Sequence, residues 1–160
     1  MLKIKIIAMG KLTERCYQNA CAEFVRRMSR TFAVTTAEPK VELLPSDPSD
    51  GEINRALAKE AERILAEIPT RAAVVAMCVE GRTMSSEAFA DWMQKQAAGG
   101  VSEVCFVIGS SFGLSDEVKK RANLRLSVSP MTFPHELFRV MLLEQLYRAG
   151  EITAGSRYHK

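Results

Sequence analysis

Two hydrophobic periods alternate along this chain, one of about two residues and one of about 3.6, and their order lays out its elements. Residues 3–9 alternate apolar and polar positions, then turn wholly apolar before Gly10, which predicts a strand entering a turn. Across residues 13–28 the apolar Tyr17, Ala20, Phe24, Val25 and Met28 recur at helical spacing. Arg15, Arg26, Arg27 and Arg30 decorate the rest of that helix, as a solvated face or as phosphate contacts. Residues 41–44 read as a short strand and residues 45–50 as the most turn-rich stretch of the chain. Ser49 and Glu52 stand at capping-box spacing ahead of a helix running to Glu67, which Pro69 ends.

The second half repeats the alternation. Residues 73–79 form an unbroken valine-rich apolar run, the pattern of a central parallel strand covered on both faces. A helix follows Ser85 and Ser86 to about residue 98, where Gly99-Gly100 stops it, and residues 104–108 begin another buried strand. Ser115 caps a short helix through residue 122, and residues 124–128 make a last strand. Pro134 fits the first turn of a long helix to Tyr147 that Gly150 closes. Strands and helices alternating at this spacing predict a single α/β domain with a mostly parallel sheet flanked by helices, and no repeat or linker interrupts it.

Composition refines this only slightly. A chain of 160 residues, 47% apolar and 26% charged, is of ordinary globular make-up, and folding can bury about two-thirds of its unfolded surface. No apolar run approaches the ~18 residues of a membrane span, and the lysine-interrupted amino terminus lacks the pattern of a secretion signal, so a cytoplasmic protein is expected. Cys16, Cys21, Cys78 and Cys105 show neither a CxxC pair nor a histidine at zinc-finger spacing, so free thiols and no metal are expected. The formal charge of +3 neither indicates nor excludes nucleic acid.

Ligands of open parallel sheets bind beyond the carboxyl ends of the strands, which singles out the loops after Val79, Ile108 and Val128. Ile108-Gly109-Ser110-Ser111-Phe112-Gly113-Leu114 sets two glycines four apart at a strand end, where backbone can approach a ligand or simply turn tightly. It has neither the Lys-Ser/Thr of a P-loop nor the third glycine of a dinucleotide fingerprint. Residues 127–135 carry two prolines that fix an extended loop leading into a helix, whose free N–H groups near Pro134 and His135 suit an anionic part of a ligand. His135 either bonds the helix start or acts in chemistry. Arg139, four residues on, is either a phosphate or base clamp or half of a salt bridge, and Glu144 with Arg148 has the spacing of an intrahelical ion pair. The terminus Gly155-Ser156-Arg157-Tyr158-His159-Lys160 reads as a disordered tail, or as a segment that folds over a nucleotide.

Taken in order, Val107 to Leu114, Leu126-Ser127 through Met131-Thr132-Phe133-Pro134-His135 to Arg139-Val140, Glu144 to Ala149, and Tyr158-His159-Lys160 resemble the ribosomal RNA large-subunit methyltransferase H family of the SPOUT superfamily. The likeness covers essentially the whole chain, residues 1–160 as one domain. It implies a SPOUT fold with a carboxyl-terminal trefoil knot, and a homodimer that uses S-adenosyl-L-methionine to methylate N3 of a pseudouridine in helix 69 of 23S rRNA on assembled ribosomes. Carried onto this sequence, the resemblance implies a cofactor site of Met77, Gly109, Gly113, Val128, Ser129, Pro130, Met131, Thr132 and Phe133. Removing the N3 proton calls for a base, for which His159 is the leading candidate and Glu144 a rival, with Tyr158 and Lys160 orienting the nucleotide and Arg139 or Arg148 placing phosphate or base. Arg148, Arg157, Lys160 and His135 are the expected RNA contacts. One departure stands out: the family loop usually reads Gly-Gly after the isoleucine, whereas Ser110 fills the second place here. Its Cβ is expected to narrow the pocket or to demand a backbone angle that serine dislikes, which puts cofactor affinity in question and leaves a silent ribosome-binding dimer as the competing reading.

Overall fold

Strands formed by the β-branched runs pair in parallel throughout, in a computed structural model that describes residues 1–159. They are β1 (Leu2–Ala8), β2 (Phe32–Ala37), β3 (Ala73–Thr83), β4 (Glu103–Ile108) and β5 (Leu124–Ser127), in the spatial order β2-β1-β4-β3-β5. Five helices, α1 (Arg15–Met28), α2 (Asp50–Glu67), α3 (Ser86–Ala98), α4 (Asp116–Arg121) and α5 (His135–Thr153), alternate with them. Because successive side chains of a strand point to opposite faces, one sheet builds two cores. Ile4, Ile6, Val75 and Phe106 pack with Cys21 of α1, Phe89 of α3 and Leu142 of α5. Ile7, Val74 and Val107 face the other way, onto Ala61 and Ile64 of α2 and Val118 of α4.

Local signals set most helix boundaries. Ser49 and Glu52 close a reciprocal capping box at α2, and Ser85 and Ser115 cap α3 and α4 through their side chains. Helix α1 starts at Arg15 with no side-chain cap of its own. Its amino end is held instead by Glu136 of α5, which accepts from the Thr13 and Glu14 N–H groups, and the Thr13 bond holds the Glu136 carboxyl below its ordinary value.

Three expectations are corrected. Residues 41–44 are not a strand; β2 is Phe32–Ala37, which pairs with β1 from Leu2↔Phe32 to Ile7↔Ala37. The 41–44 segment is a loop whose Glu42 binds Lys59 and Arg63 of α2, with Leu43 left 88% exposed. Gly150 does not end α5, which runs three residues further; it lies against Thr31 and Phe32, where a Cβ would come within 3.0 Å of the Thr31 methyl. The terminal segment is ordered through His159, with a 3-10 turn at Arg157–His159.

Strand order decides where ligand chemistry can occur. Neighbours β4, β3 and β5 bring the carboxyl ends of three strands to one edge, and the β4-to-β5 connection must cross over β3. Strand β3 extends to Thr83, four residues past the expected end, with a register irregularity between Met77 and Arg82. Gly81 permits this: a Cβ there would lie 2.7 Å from the Leu126 carbonyl carbon of β5, so only glycine lets the two backbones approach.

Candidate active site

The far half of β3, which replaces the loop expected after Val79, and the loops after β4 and β5 enclose a cavity of about 370 Å3, within the ~300–1,000 Å3 typical of small-molecule sites. Met77 and Val79 come from β3, Gly109 to Leu114 from the loop after β4, Ser127 from the end of β5, and Val128, Ser129, Met131, Thr132 and Phe133 from the loop that follows it. Gly109 is required sterically, since a Cβ would overlap the Gly113 carbonyl oxygen and sit 2.6 Å from its carbon. The turn it feeds is closed by the Gly113 N–H on Ser110 O at 2.8 Å, with Gly113 at φ +85°. The next loop is stitched by its own hydroxyls: Ser127 Oγ donates to Ser129 O at 3.0 Å, and Ser129 Oγ accepts from the Met131 N–H at 3.0 Å. Val79, Phe112, Val128 and Met131 are large, apolar and exposed, and all four line this cavity. Apolar surface left open around a concave, backbone-rich site is the chemistry of ligand capture. Lys119 of α4, ion-paired with Glu80, provides charge at the rim.

A second group of side chains gathers where the terminal turn meets α5 and α3. Glu144 accepts from Arg148 through Nε (3.1 Å) and Nη2 (2.5 Å), and from the Tyr158 hydroxyl at 3.2 Å. The Arg148 guanidinium lies 4.8 Å from the Tyr158 ring centre, and Tyr147 meets the same ring edge-on at 4.8 Å. His159 Nε2 is 2.7 Å from Glu87 Oε1, and its Nδ1 is 3.5 Å from Arg148 Nη1. His159, foremost among its hydrogen bonds, pulls the Glu87 carboxyl down to about 2. Burial, reinforced by Glu144, pushes the Tyr158 phenol above its ordinary value, so it acts as a neutral donor near neutral pH. The cluster adjoins a second cavity, about 620 Å3, that Glu144 lines and that shares Met77, Leu126, Ser127 and Val128 with the first.

A family model described as "Predicted SPOUT methyltransferase" matches residues 2–159. Ribosomal RNA large subunit methyltransferase H of Streptococcus thermophilus is 42% identical over 159 residues, covering 99% of this chain and 100% of its own; that of Bacillus pumilus is 44% identical over the same shares. The chain belongs to the methyltransferase H family of SPOUT proteins. A probable methylase family protein from Haemophilus influenzae superposes with a TM-score of 0.52 at 13% identity, over 99% of this chain and 70% of that one, a likeness of fold.

Against the site that the methyltransferase H resemblance implies, the structure brings Met77, Gly109, Gly113, Val128, Ser129, Met131, Thr132 and Phe133 around one cavity, with His135 at its edge. Pro130 is not among the lining residues, although it belongs to the same loop. Glu144, Arg148, Tyr158 and His159 meet in the second cluster, while Arg157 is exposed beside them and Lys160 lies outside the described residues. Arg139 joins neither group. It is 6% exposed, donates to Gly10 O at 3.0 Å and pairs with Glu38 at 3.4 Å, tying α5 to the loops after β1 and β2, so the salt-bridge alternative describes it. The arginines of α1 resolve similarly in part, with Arg26 and Arg27 both held by Glu23. Ser110 has no positive φ, and its hydroxyl reaches Glu60 of α2, so the feared backbone strain is absent. Glu87 and Tyr147 were not singled out by sequence reasoning. Glu87 lies in no motif; Tyr147 sits within the Glu144-to-Ala149 stretch and packs on Phe24, and the docking of the tail brings the two beside His159 and Tyr158 respectively.

Proposed function

We propose that this protein is an S-adenosyl-L-methionine-dependent methyltransferase that modifies N3 of a pseudouridine in helix 69 of 23S rRNA on assembled ribosomes. The observation that carries the reading is the adjacency of the two cavities through Met77, Leu126, Ser127 and Val128, one built of backbone loops and the other flanked by an acid–base cluster. Such a donor, when bound, would supply a methyl carried on a sulfonium centre. The first cavity fits such a molecule: apolar walls from Met77, Ile108, Leu114 and Leu126 suit an adenine, and the loop backbone can fix its polar edges.

The chain's own task is to prepare the acceptor. The N3 proton must leave so that the nitrogen lone pair can attack. Glu87 accepts from His159 Nε2–H, which leaves the Nδ1 lone pair as proton acceptor once the nucleotide displaces Arg148 from beside it. Arg148, freed from that contact but still tied to Glu144, then stabilises negative charge on the deprotonated base. Tyr158 offers its ring for stacking and its hydroxyl as donor, while Arg157, Lys160 and His135 contact phosphate. Arg139 acts as a scaffold residue in this reading.

The same reading makes the protein a homodimer, since the larger groove is lined by half-buried Phe24, Val140 and Met141 that a second copy would cover. Doubling +3 gives a dimer of about +6, modest for RNA binding, so the assembled ribosome's shape supplies selectivity. In this reading the chain forms its trefoil knot near the crossover of β4 to β5 over β3, and works in the cytoplasm. Among the described residues no helix can cross a membrane, and no three His, Cys, Asp or Glu side chains are grouped to hold a metal.

The test is methyl transfer to ribosomes from cells lacking this protein, with products mapped by mass. One new methyl on a helix 69 pseudouridine of the ribosome, and none on free 23S rRNA, is expected. Deleting residues 157–160 should lower transfer by at least ~100-fold, the lower range of acid–base catalysis, with donor affinity retained. Unchanged transfer by the truncated protein removes the tail from the mechanism, and methylation elsewhere overturns the substrate.

A further inference from the structure

The turn after β4 is fastened from behind by one side chain. Ser110 Oγ donates to Glu60 Oε2 at 2.7 Å, and the other oxygen of that carboxylate accepts the Glu42 N–H at 3.1 Å. Glu60 lies within α2 and is only 3% exposed. A carboxylate is rarely buried so fully unless its oxygens are hydrogen-bonded, and the adjacent cations Lys59 and Arg63 are engaged with Glu42 instead. Glu60 therefore brackets the loop after β2 to the loop after β4 through two neutral donors. Ser110 opens the turn closed by the Gly113 N–H, and that turn lines the first cavity.

We propose that Glu60 and Ser110 form a positioning pair that sets donor affinity, by holding the Ser110-to-Gly113 turn from the side facing α2. The proposal rests on the assignment of the first cavity to a methyl donor. Neither residue touches a reacting atom; each acts through the loop backbone, which a ligand meets already shaped. A serine here does not weaken the site. It anchors the turn where a glycine would have no side chain to tie down.

The experiment compares wild-type protein with S110A, S110T, E60Q and the S110A/E60Q double variant. S-adenosyl-L-methionine binding is measured by calorimetry, methyl transfer by steady-state kinetics, and amide hydrogen exchange without ligand. S110A and E60Q should each weaken donor binding about tenfold, or about 1.4 kcal/mol, and raise donor KM alike, while kcat at saturating donor stays within about twofold. S110T, which keeps the hydroxyl, should restore affinity, and the double variant should be no worse than either single one. Unchanged affinity in S110A, or a fall in kcat with KM unaltered, overturns the pair's role. Wild-type protein that gives no saturable heat overturns the methyl-donor reading. Exchange at the Gly113 amide then judges the tether separately: faster exchange in S110A supports it, and unchanged exchange overturns it.

Discussion

Replacing Gly109 by alanine puts a methyl where the loop has no room. The added carbon would lie 2.6 Å from the Gly113 carbonyl carbon and nearer still to its oxygen, against ~3.5–4.0 Å for comfortable contact. The obstacle is backbone, so no side-chain rotation relieves it and the turn must open by about 1 Å, a scale set by that contact distance. Overpacking of this kind costs roughly 1–3 kcal/mol, and losing the Gly113 N–H bond to Ser110 O adds about 0.5–1.5 kcal/mol. A total of about 2–4 kcal/mol lowers Tm by roughly 5–15 °C for a chain of this size. A displacement near 1 Å in a positioning loop also costs about 100-fold in function, so donor affinity should fall by that order. Calorimetric titration and thermal melting of the same samples measure both. Gly113→Asn is the comparator: Gly113 has φ +85° but nothing within 4 Å of its would-be Cβ, and asparagine tolerates that backbone, so about 1 kcal/mol is expected. If Gly109→Ala binds the donor within about twofold of wild type and melts within a degree or two, the steric argument for this loop is wrong.

Arg139→Met should cost about 1–3 kcal/mol of stability by stranding the Gly10 carbonyl and Glu38, yet leave donor affinity and turnover of the folded enzyme intact; a catalytic defect in well-folded protein would return Arg139 to the active site. The Glu87 carboxyl, held down chiefly by His159, should titrate at about 2 in a carbon NMR experiment and move back toward 4.5 in His159→Ala. Because its folded value is depressed, the contact stabilises the docked tail above the ordinary carboxylate range and loses that contribution as pH falls through about 2. A wild-type midpoint near 4.5 would mean the tail is not docked on α3. Alkylation at pH 8 should label exposed Cys16 and spare buried Cys21 and Cys105, whose thiol burial pushes up to about 11; rapid labelling of Cys105 in native protein contradicts the sheet core.

Patterns that act within one or two turns of chain were legible before any coordinates. The capping box at Ser49, the serine pair that precedes α3, the Ser115 cap of α4, the valine run of β3 and the glycine spacing after Ile108 are local, because backbone N–H satisfaction, side-chain alternation and steric access are decided by near neighbours. Contacts between distant segments were not. Strand β2 and residues 41–44 look alike in sequence because both are short and mildly apolar, and only pairing with β1 distinguishes them. Gly150 looks like a helix stop in one dimension and becomes a packing notch for Thr31 and Phe32 in three. Arg139 and Arg148 carry the same charge on the same helix; one is buried against Glu38 and the other faces Glu144 and Tyr158, a division made by what packs around α5. Sequence alone therefore determined four of the five strands and all five helices in outline and nominated the loops, since those depend on short-range chemistry. Tertiary structure decided which side chains share a cavity and which serve as struts, since a carboxylate on α2 can reach Ser110 only after the sheet has brought residues fifty positions apart into contact.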